Sequence, residues 1–198
     1  NWQQAWRDPE PKKEYDAVIV GLGPTGGTLA NLLAIQGYSI LILEKENSFY
    51  PLPRAVHFDD EIMRVFQNIG IADELLPMVR VNPGMKFVDS ENNLLLDWPR
   101  PQEITPQGWN ASYRLHQPDL ERLLRKKLES YDNVSVKTGT RVASIDQADT
   151  GVNLLAHSVS TDTSEKYRAQ YVIGCDGANS QTRTIIQSEL DDYGFQEK

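Results

Sequence analysis

The order of apolar and polar positions predicts a chain that alternates strand and helix and then turns to strands. Residues 16–20 are a short apolar run with β-branched side chains, the pattern of a buried strand. A glycine-rich turn follows. Leu29, Leu32 and Leu33 then fall at helical spacing and predict a helix over 28–35. Gly37 is placed to end that helix in a left-handed conformation, which a residue without a Cβ adopts freely. Residues 39–43 are a second buried strand and close a βαβ unit of about 30 residues.

Beyond a loop with Pro51 and Pro53, a helix is predicted over about 59–68. Its apolar positions Ile62, Val65, Phe66 and Ile69 recur every three or four residues and read as core, and Gly70 stops it. Residues 79–111 change character: Pro83, Pro99, Pro101 and Pro106 punctuate strand-like runs at 85–88 and 94–98, a β-rich excursion from the preceding unit. Helical pattern returns over 118–131 with Leu120, Leu123, Leu124 and Leu128 on one face. Strands are then predicted at 134–137, 141–147, 152–157 and 171–173. The opening segment has Trp2, Trp6 and two prolines without a clear period, and reads as an arm packing on the body.

Composition narrows the class. With 198 residues, 39% of them hydrophobic and 24% charged, the chain can build one sizeable core or one and a half domains. A formal net charge of -8 leaves no basic stripe to neutralise phosphates, so nucleic acid is not expected as a partner. The one basic cluster, Arg122, Arg125, Lys126 and Lys127, is flanked by Glu121 and Glu129 and reads as a solvated helix face. Residues 17–43 carry no charge, yet six glycine or proline positions break them up. No membrane-spanning helix of about 20 apolar residues is therefore expected. The single Cys175 allows no intramolecular disulfide and fits the reducing cytoplasm.

The chemistry begins at Gly21-Leu22-Gly23-Pro24-Thr25-Gly26, a G-x-G-x-x-G run between a predicted strand and a predicted helix. In that context Gly21 permits a tight turn. Gly23 lets the backbone approach a pyrophosphate, and Gly26 lets helix and strand pack closely. Bare N–H groups and the partial positive charge of the helix N-terminus then face the phosphates. Glu44, followed by Lys45, stands about 20 positions on at the end of the second strand, where an acid takes a ribose hydroxyl. An acid there suits a free 2′-hydroxyl, as in FAD or NAD, and the βαβ unit does not separate the two.

Three later segments decide between them. They are Pro53-Arg54-Ala55-Val56-His57, then Tyr113-Arg114-Leu115-His116-Gln117-Pro118-Asp119-Leu120-Glu121, then Gly174-Cys175-Asp176-Gly177-Ala178-Asn179-Ser180 with Arg183 after it. In this order they resemble the class A flavoprotein monooxygenases of the para-hydroxybenzoate hydroxylase type. The wording around residues 50–59 is closest to the 3-(3-hydroxyphenyl)propionate hydroxylase branch.

That resemblance implies an α/β fold: a Rossmann-like FAD-binding domain with a β-rich insertion from a second, substrate-side sheet. Residues 15–78 and 112–187 would form the FAD-binding domain, 79–111 the excursion toward the substrate domain, 1–14 an arm and 188–198 a tail. Arg54 maps onto an arginine along the FAD pyrophosphate, with Ala55 and the residues after it lining the flavin's mobile edge. Gln117 maps onto a glutamine near the phosphate and ribityl region, and Asp176 and Gly177 onto an Asp-Gly pair that touches FAD. Val142 completes the cofactor positions, and Arg114 is placed to approach the flavin, the second domain or a local acid. His57 and Asp60 fall where the flavin's mobile edge is expected and are candidates for touching substrate.

The activity so implied is hydroxylation of a phenolic acid with NAD(P)H and O2 through a flavin C4a-hydroperoxide. No residue of this chain needs to act as a nucleophile. Another FAD-dependent oxidoreductase or a halogenase of the same fold, or a non-catalytic dinucleotide-binding fragment, is the alternative. A homodimer is compatible with all of these. Family members are longer and carry a second Gly-Asp motif after the substrate-binding sheet, and nothing after Arg183 resembles it. The chain is accordingly expected to be an N-terminal portion that lacks the C-terminal part of the fold.

Overall fold

The structure is a computed structural model and describes residues 14–49, 51–52 and 54–194. All but the last residue of the expected arm, together with Tyr50 and Pro53, lie outside the described residues. In chain order the elements run β1 (Glu14–Val20), α1 (Pro24–Ile35), β2 (Ile40–Leu43), β3 (His57–Asp59), α2 (Asp60–Asn68) and α3 (Ala72–Leu75). A 3-10 turn (Leu76–Met78) leads to β4 (Arg80–Val81), β5 (Gly84–Val88), β6 (Leu94–Pro99), β7 (Ser112–Arg114) and α4 (Gln117–Leu128). The chain continues through β8 (Val134–Lys137), β9 (Thr140–Ala148), β10 (Gly151–Ser158), β11 (Thr163–Gly174) and α5 (Gln181–Ile185). No described helix is long and apolar enough to cross a membrane.

Two compact units emerge. The first gathers the described parts of Asn1–Gly26, Gln36–Ser48 and Asp132–Lys198. Its six-stranded sheet has the order β8-β2-β1-β11-β10-β9. β8, β2, β1 and β11 run parallel to their neighbours, while β11, β10 and β9 form an antiparallel meander. β2 is buried along its whole length, Ile40 to Leu43, as a parallel strand covered on both faces must be. Tyr15, Val18, Leu41, Leu154 and Tyr167 meet in one apolar cluster. Each such side chain removed from water contributes roughly 1.5–3 kcal/mol.

β11 joins the two kinds of pairing, with Arg168–Gly174 along β1 and Thr163–Ala169 along β10. It is far longer than the expected 171–173. Over residues 166–169 it alternates, with Tyr167 and Ala169 buried and Lys166 and Arg168 half-buried, so no continuous apolar run announces it.

The second unit gathers Gly27–Ile35 and the described parts of Phe49–Tyr131. Asp59 caps α2, its Oδ1 accepting from the Ile62 N–H at 3.0 Å. Met63, Phe66 and Ile69 carry the buried stripe. Ile62, expected in the core, is 42% exposed, because it sits in the first turn at the end of that stripe. Phe58 packs edge-on against Phe66 at 5.3 Å and stacks on Tyr113 at 5.4 Å, tying α2 to the sheet β3-β7-β4. On α4 the four expected leucines are all buried.

The helix of the βαβ unit differs from expectation in two respects. It starts at Pro24 rather than at 28, because proline's fixed φ suits the first helical position. Its most buried positions are the small ones, Ala30, Asn31 and Ala34, while Leu29, Leu32 and Leu33 are half-buried. A Cβ on Gly27 would lie 3.4 Å from Leu124, so the small residues allow close approach of α4. Asn31 spans that contact, donating to the carbonyls of Gly27 (2.8 Å) and Leu124 (3.1 Å).

Candidate functional site

The first group of site residues is the turn between β1 and α1 with the acid that follows β2. Gly21 has φ +101°, and a Cβ there would lie 2.4 Å from the Cys175 carbonyl oxygen. The turn is clamped by Gly21 N–H to Leu43 O (2.8 Å) and Cys175 N–H to Val20 O (2.7 Å). A Cβ on Gly26 would meet the Gly21 carbonyl oxygen at 2.1 Å, so helix and turn touch through backbone alone. Gly23 is different. A Cβ there would meet nothing within 4 Å, which leaves open space over the turn. Thr25 is exposed and Pro24 half-buried, and the first turn of α1 has no acidic residue to neutralise its N-terminus.

Glu44 is fixed to this turn. Its Oε2 accepts from the Leu22 N–H at 2.7 Å and its Oε1 from the Glu46 N–H at 2.9 Å. A carboxylate has about four lone-pair sites, so acceptor capacity remains for a hydroxyl. Open space at Gly23 and a spare acid acceptor beside the glycine turn fit a dinucleotide. Lys45 next to it is exposed.

Asp176 anchors the loop after β11. It accepts from the Ser180 hydroxyl (2.5 Å), the Thr182 N–H (3.0 Å) and the Thr182 hydroxyl (3.2 Å). Burial pushes its pKa up, but the hydrogen bonds from Ser180 and Thr182 outweigh it and hold the carboxyl below its ordinary value. Ser180 in turn caps α5 by accepting from the Arg183 N–H, and Arg183 reaches back to the Ala178 carbonyl. Gly177, at φ +78°, is exposed, and a Cβ there would meet nothing within 4 Å. Cys175 has its pKa raised by burial and by the Asp176 charge, the setting of an unreactive thiol. The Val142 side chain packs in the core cluster, which leaves only its backbone for a ligand.

A second group lies in the other unit. Gln117 is 6% exposed, and its Oε1 accepts from the backbone N–H groups of Arg54 (3.0 Å) and Ala55 (2.8 Å). Its Nε2 donates to Glu121 Oε1 at 2.8 Å. The oxygen end of this amide therefore holds residues 54 and 55, both exposed, and the nitrogen end is bound to Glu121.

His57 is exposed on β3, opposite Arg114. The Asp60 carboxylate accepts from the Thr105 hydroxyl at 2.6 Å and pins the loop around Thr105. Arg114 bonds locally, Nε to Asn82 Oδ1 (3.0 Å) and one terminal nitrogen to the Gly84 carbonyl (2.8 Å).

Three residues at work here are not singled out by the sequence pattern. Ser180 and Thr182 hold Asp176, and their spacing from it is the available signal. Glu121, read as part of a solvated face, is 5% exposed. Its position one helical turn after Gln117 is the clue.

The glycine turn, the acid after β2 and the parallel sheet define a dinucleotide-binding α/β protein. A family model described as an FAD binding domain matches residues 14–194, and the chain belongs to that family. A Rhodococcus jostii (strain RHA1) protein named "Probable NADH-specific resorcinol 4-hydroxylase" is 42% identical over 187 residues, covering 93% of this chain and 34% of that protein. A Mycolicibacterium smegmatis 3-(3-hydroxy-phenyl)propionate/3-hydroxycinnamic acid hydroxylase is 37% identical over 176 residues, covering 89% of this chain and 31% of that protein. The chain thus spans about a third of the length of the curated relatives it matches. In fold it is similar to the flavin-dependent monooxygenase PieE, solved with FAD and substrate (TM-score 0.83, 23% identity, 92% of this chain and 33% of that one). It is also similar to p-nitrophenol 4-monooxygenase PnpA from Pseudomonas putida DLL-E4 (TM-score 0.82, 23% identity, 90% of this chain and 45% of that one).

Proposed function

We propose that this chain is the FAD-binding portion of a monooxygenase that hydroxylates a phenolic aromatic acid, with NAD(P)H and O2 as co-substrates. The observation that carries the cofactor reading is the pairing of an open Gly23 with a Glu44 carboxylate held on the neighbouring Leu22 N–H. The substrate class rests on the two hydroxylases to which the chain is 42% and 37% identical.

In this reading the N–H groups at the start of α1 and the Arg54 guanidinium take the pyrophosphate, and Glu44 takes the adenosine ribose. Lys45, Ala55, Gln117, Asp176, Gly177 and the Val142 backbone border the same ligand. The bound flavin supplies electron transfer and oxygen chemistry. The protein's own task is orientation: Gly21 and Gly26 keep side chains out of the turn, Asp176 braces the loop after β11, and Gln117 braces residues 54 and 55. The hairpin β5-β6 supports a larger protein around this chain, since Phe87, Leu95, Leu96 and Trp98 on it are 45–69% exposed. We assign it to the substrate-side sheet, with His57 and Asp60 at that border.

The purified chain should retain added FAD through desalting, with visible flavin absorbance eluting with the protein. A protein of the relatives' length that takes up no FAD would overturn the cofactor reading. NADH oxidation that never responds to resorcinol or to 3-(3-hydroxyphenyl)propionate in a protein of the relatives' length would overturn the hydroxylase reading.

A further inference from the structure

Gln117, Glu121 and Arg125 follow one another at single-turn spacing on α4. Glu121 is 5% exposed, and a carboxylate so buried is costly unless it is paired. Its Oε1 accepts from Gln117 Nε2 at 2.8 Å, and its Oε2 lies 3.9 Å from an Arg125 terminal nitrogen. The Arg125 guanidinium in turn sits over the Phe49 ring, 5.7 Å from its centre.

A primary amide has a donor end and an acceptor end of nearly the same shape, so its surroundings decide which way it points. Glu121 can only accept, and it draws Nε2 to itself. Oε1 is then left facing the two N–H donors of Arg54 and Ala55. Turned round, the amide would set Nε2 against those donors and Oε1 against the carboxylate, losing three hydrogen bonds. We propose that Glu121 is a positioning residue that sets the polarity of the Gln117 amide and thereby holds the Arg54–Ala55 backbone in its cofactor-binding position. This rests on the proposed contact of residues 54 and 55 with FAD.

The test is a polarity swap in the full chain, read by amide hydrogen exchange at Arg54 and Ala55 and by FAD affinity. In Glu121→Gln, Arg125 attracts the new carbonyl oxygen, the new NH2 turns toward Gln117, and the Gln117 amide flips. In Gln117→Glu, two carboxylates meet at hydrogen-bond distance and repel. Each single variant should speed exchange at both amides and weaken FAD by about tenfold, the worth of one or two net hydrogen bonds. The double variant Gln117→Glu/Glu121→Gln restores every donor–acceptor match and should return both readouts close to the parent. A merely structural requirement for these side chains would not produce that rescue.

Unchanged exchange in Glu121→Gln, or a double variant no better protected than the worse single one, would overturn the proposal. Should a single variant fail to fold, the double variant still decides, since it must fold with parental protection at residues 54 and 55. If exchange follows the predicted pattern while FAD affinity stays flat, the hold on the backbone stands and the cofactor role of residues 54 and 55 falls.

Discussion

At the β1–α1 turn the constraints come mainly from the backbone: a positive φ at Gly21, a carbonyl 2.1 Å from where a Gly26 Cβ would be, and two main-chain N–H groups that hold the Glu44 carboxylate. Residues 54 and 55 are held instead by one side-chain amide from Gln117, more than 60 positions along the chain. Most of the first arrangement lies within residues 21–46, with Cys175 clamping it from far along the chain, and it tolerates no added atom at Gly21 or Gly26. The second accepts variation in the loop it holds and uses a distant side chain with a buried acid behind it. Under the proposed function, one cofactor is served by a group encoded locally and a group encoded by tertiary contact.

The largest effect that would break this contrast is at Gly26. Gly26→Ala forces a Cβ against the Gly21 carbonyl and should cost about 3 kcal/mol, read as a lower midpoint in denaturant. A parental midpoint would mean the turn is not backbone-limited. Gly23→Val in the same turn should leave the midpoint nearly unchanged, since a Cβ meets nothing there, while abolishing FAD retention. Equal flavin retention would move the pyrophosphate elsewhere.

Next comes Glu44→Ala. Loss of a charge-assisted hydrogen bond weakens FAD by about 1.5–3 kcal/mol, measurable by titration calorimetry. No change would detach the ribose from Glu44.

Asp176 gives a smaller, pH-dependent effect. Its folded pKa lies below the unfolded value, so its stabilisation is complete above that value and is lost as pH falls through the folded pKa. Asp176→Asn should therefore flatten the stability curve below about pH 4. An unaltered acid limb would mean that Ser180 and Thr182 do not favour the charged form.

The smallest effect is expected for Ile62→Ser, within about 0.5 kcal/mol of the parent because the side chain is 42% exposed. Met63→Ala, at a fully buried site, should cost about 2–5 kcal/mol. Reversal of that order in denaturant melts would restore the expected core stripe.

How much of this is legible in the sequence depends on the range of the interaction involved. Strands β1 and β2 are legible because covering both faces demands unbroken apolar runs. The first half of β11 is not, because one of its faces is turned to polar surroundings. In α1 the leucines carry the helical pattern, yet the deepest positions are Ala30, Asn31 and Ala34, suited to close helix approach rather than to hydrophobicity.

By itself the sequence determined the glycine turn, the acid at the end of the second strand and the family to which these belong. All are short-range matters of backbone conformation and residue type. Only the tertiary structure decided that Gln117 supports residues 54 and 55, that Asp60 is engaged by Thr105, and that Glu121 is buried rather than solvated. Those outcomes depend on which donors and acceptors distant segments bring within about 3 Å of one another. A one-dimensional pattern of polar and apolar positions does not carry that information.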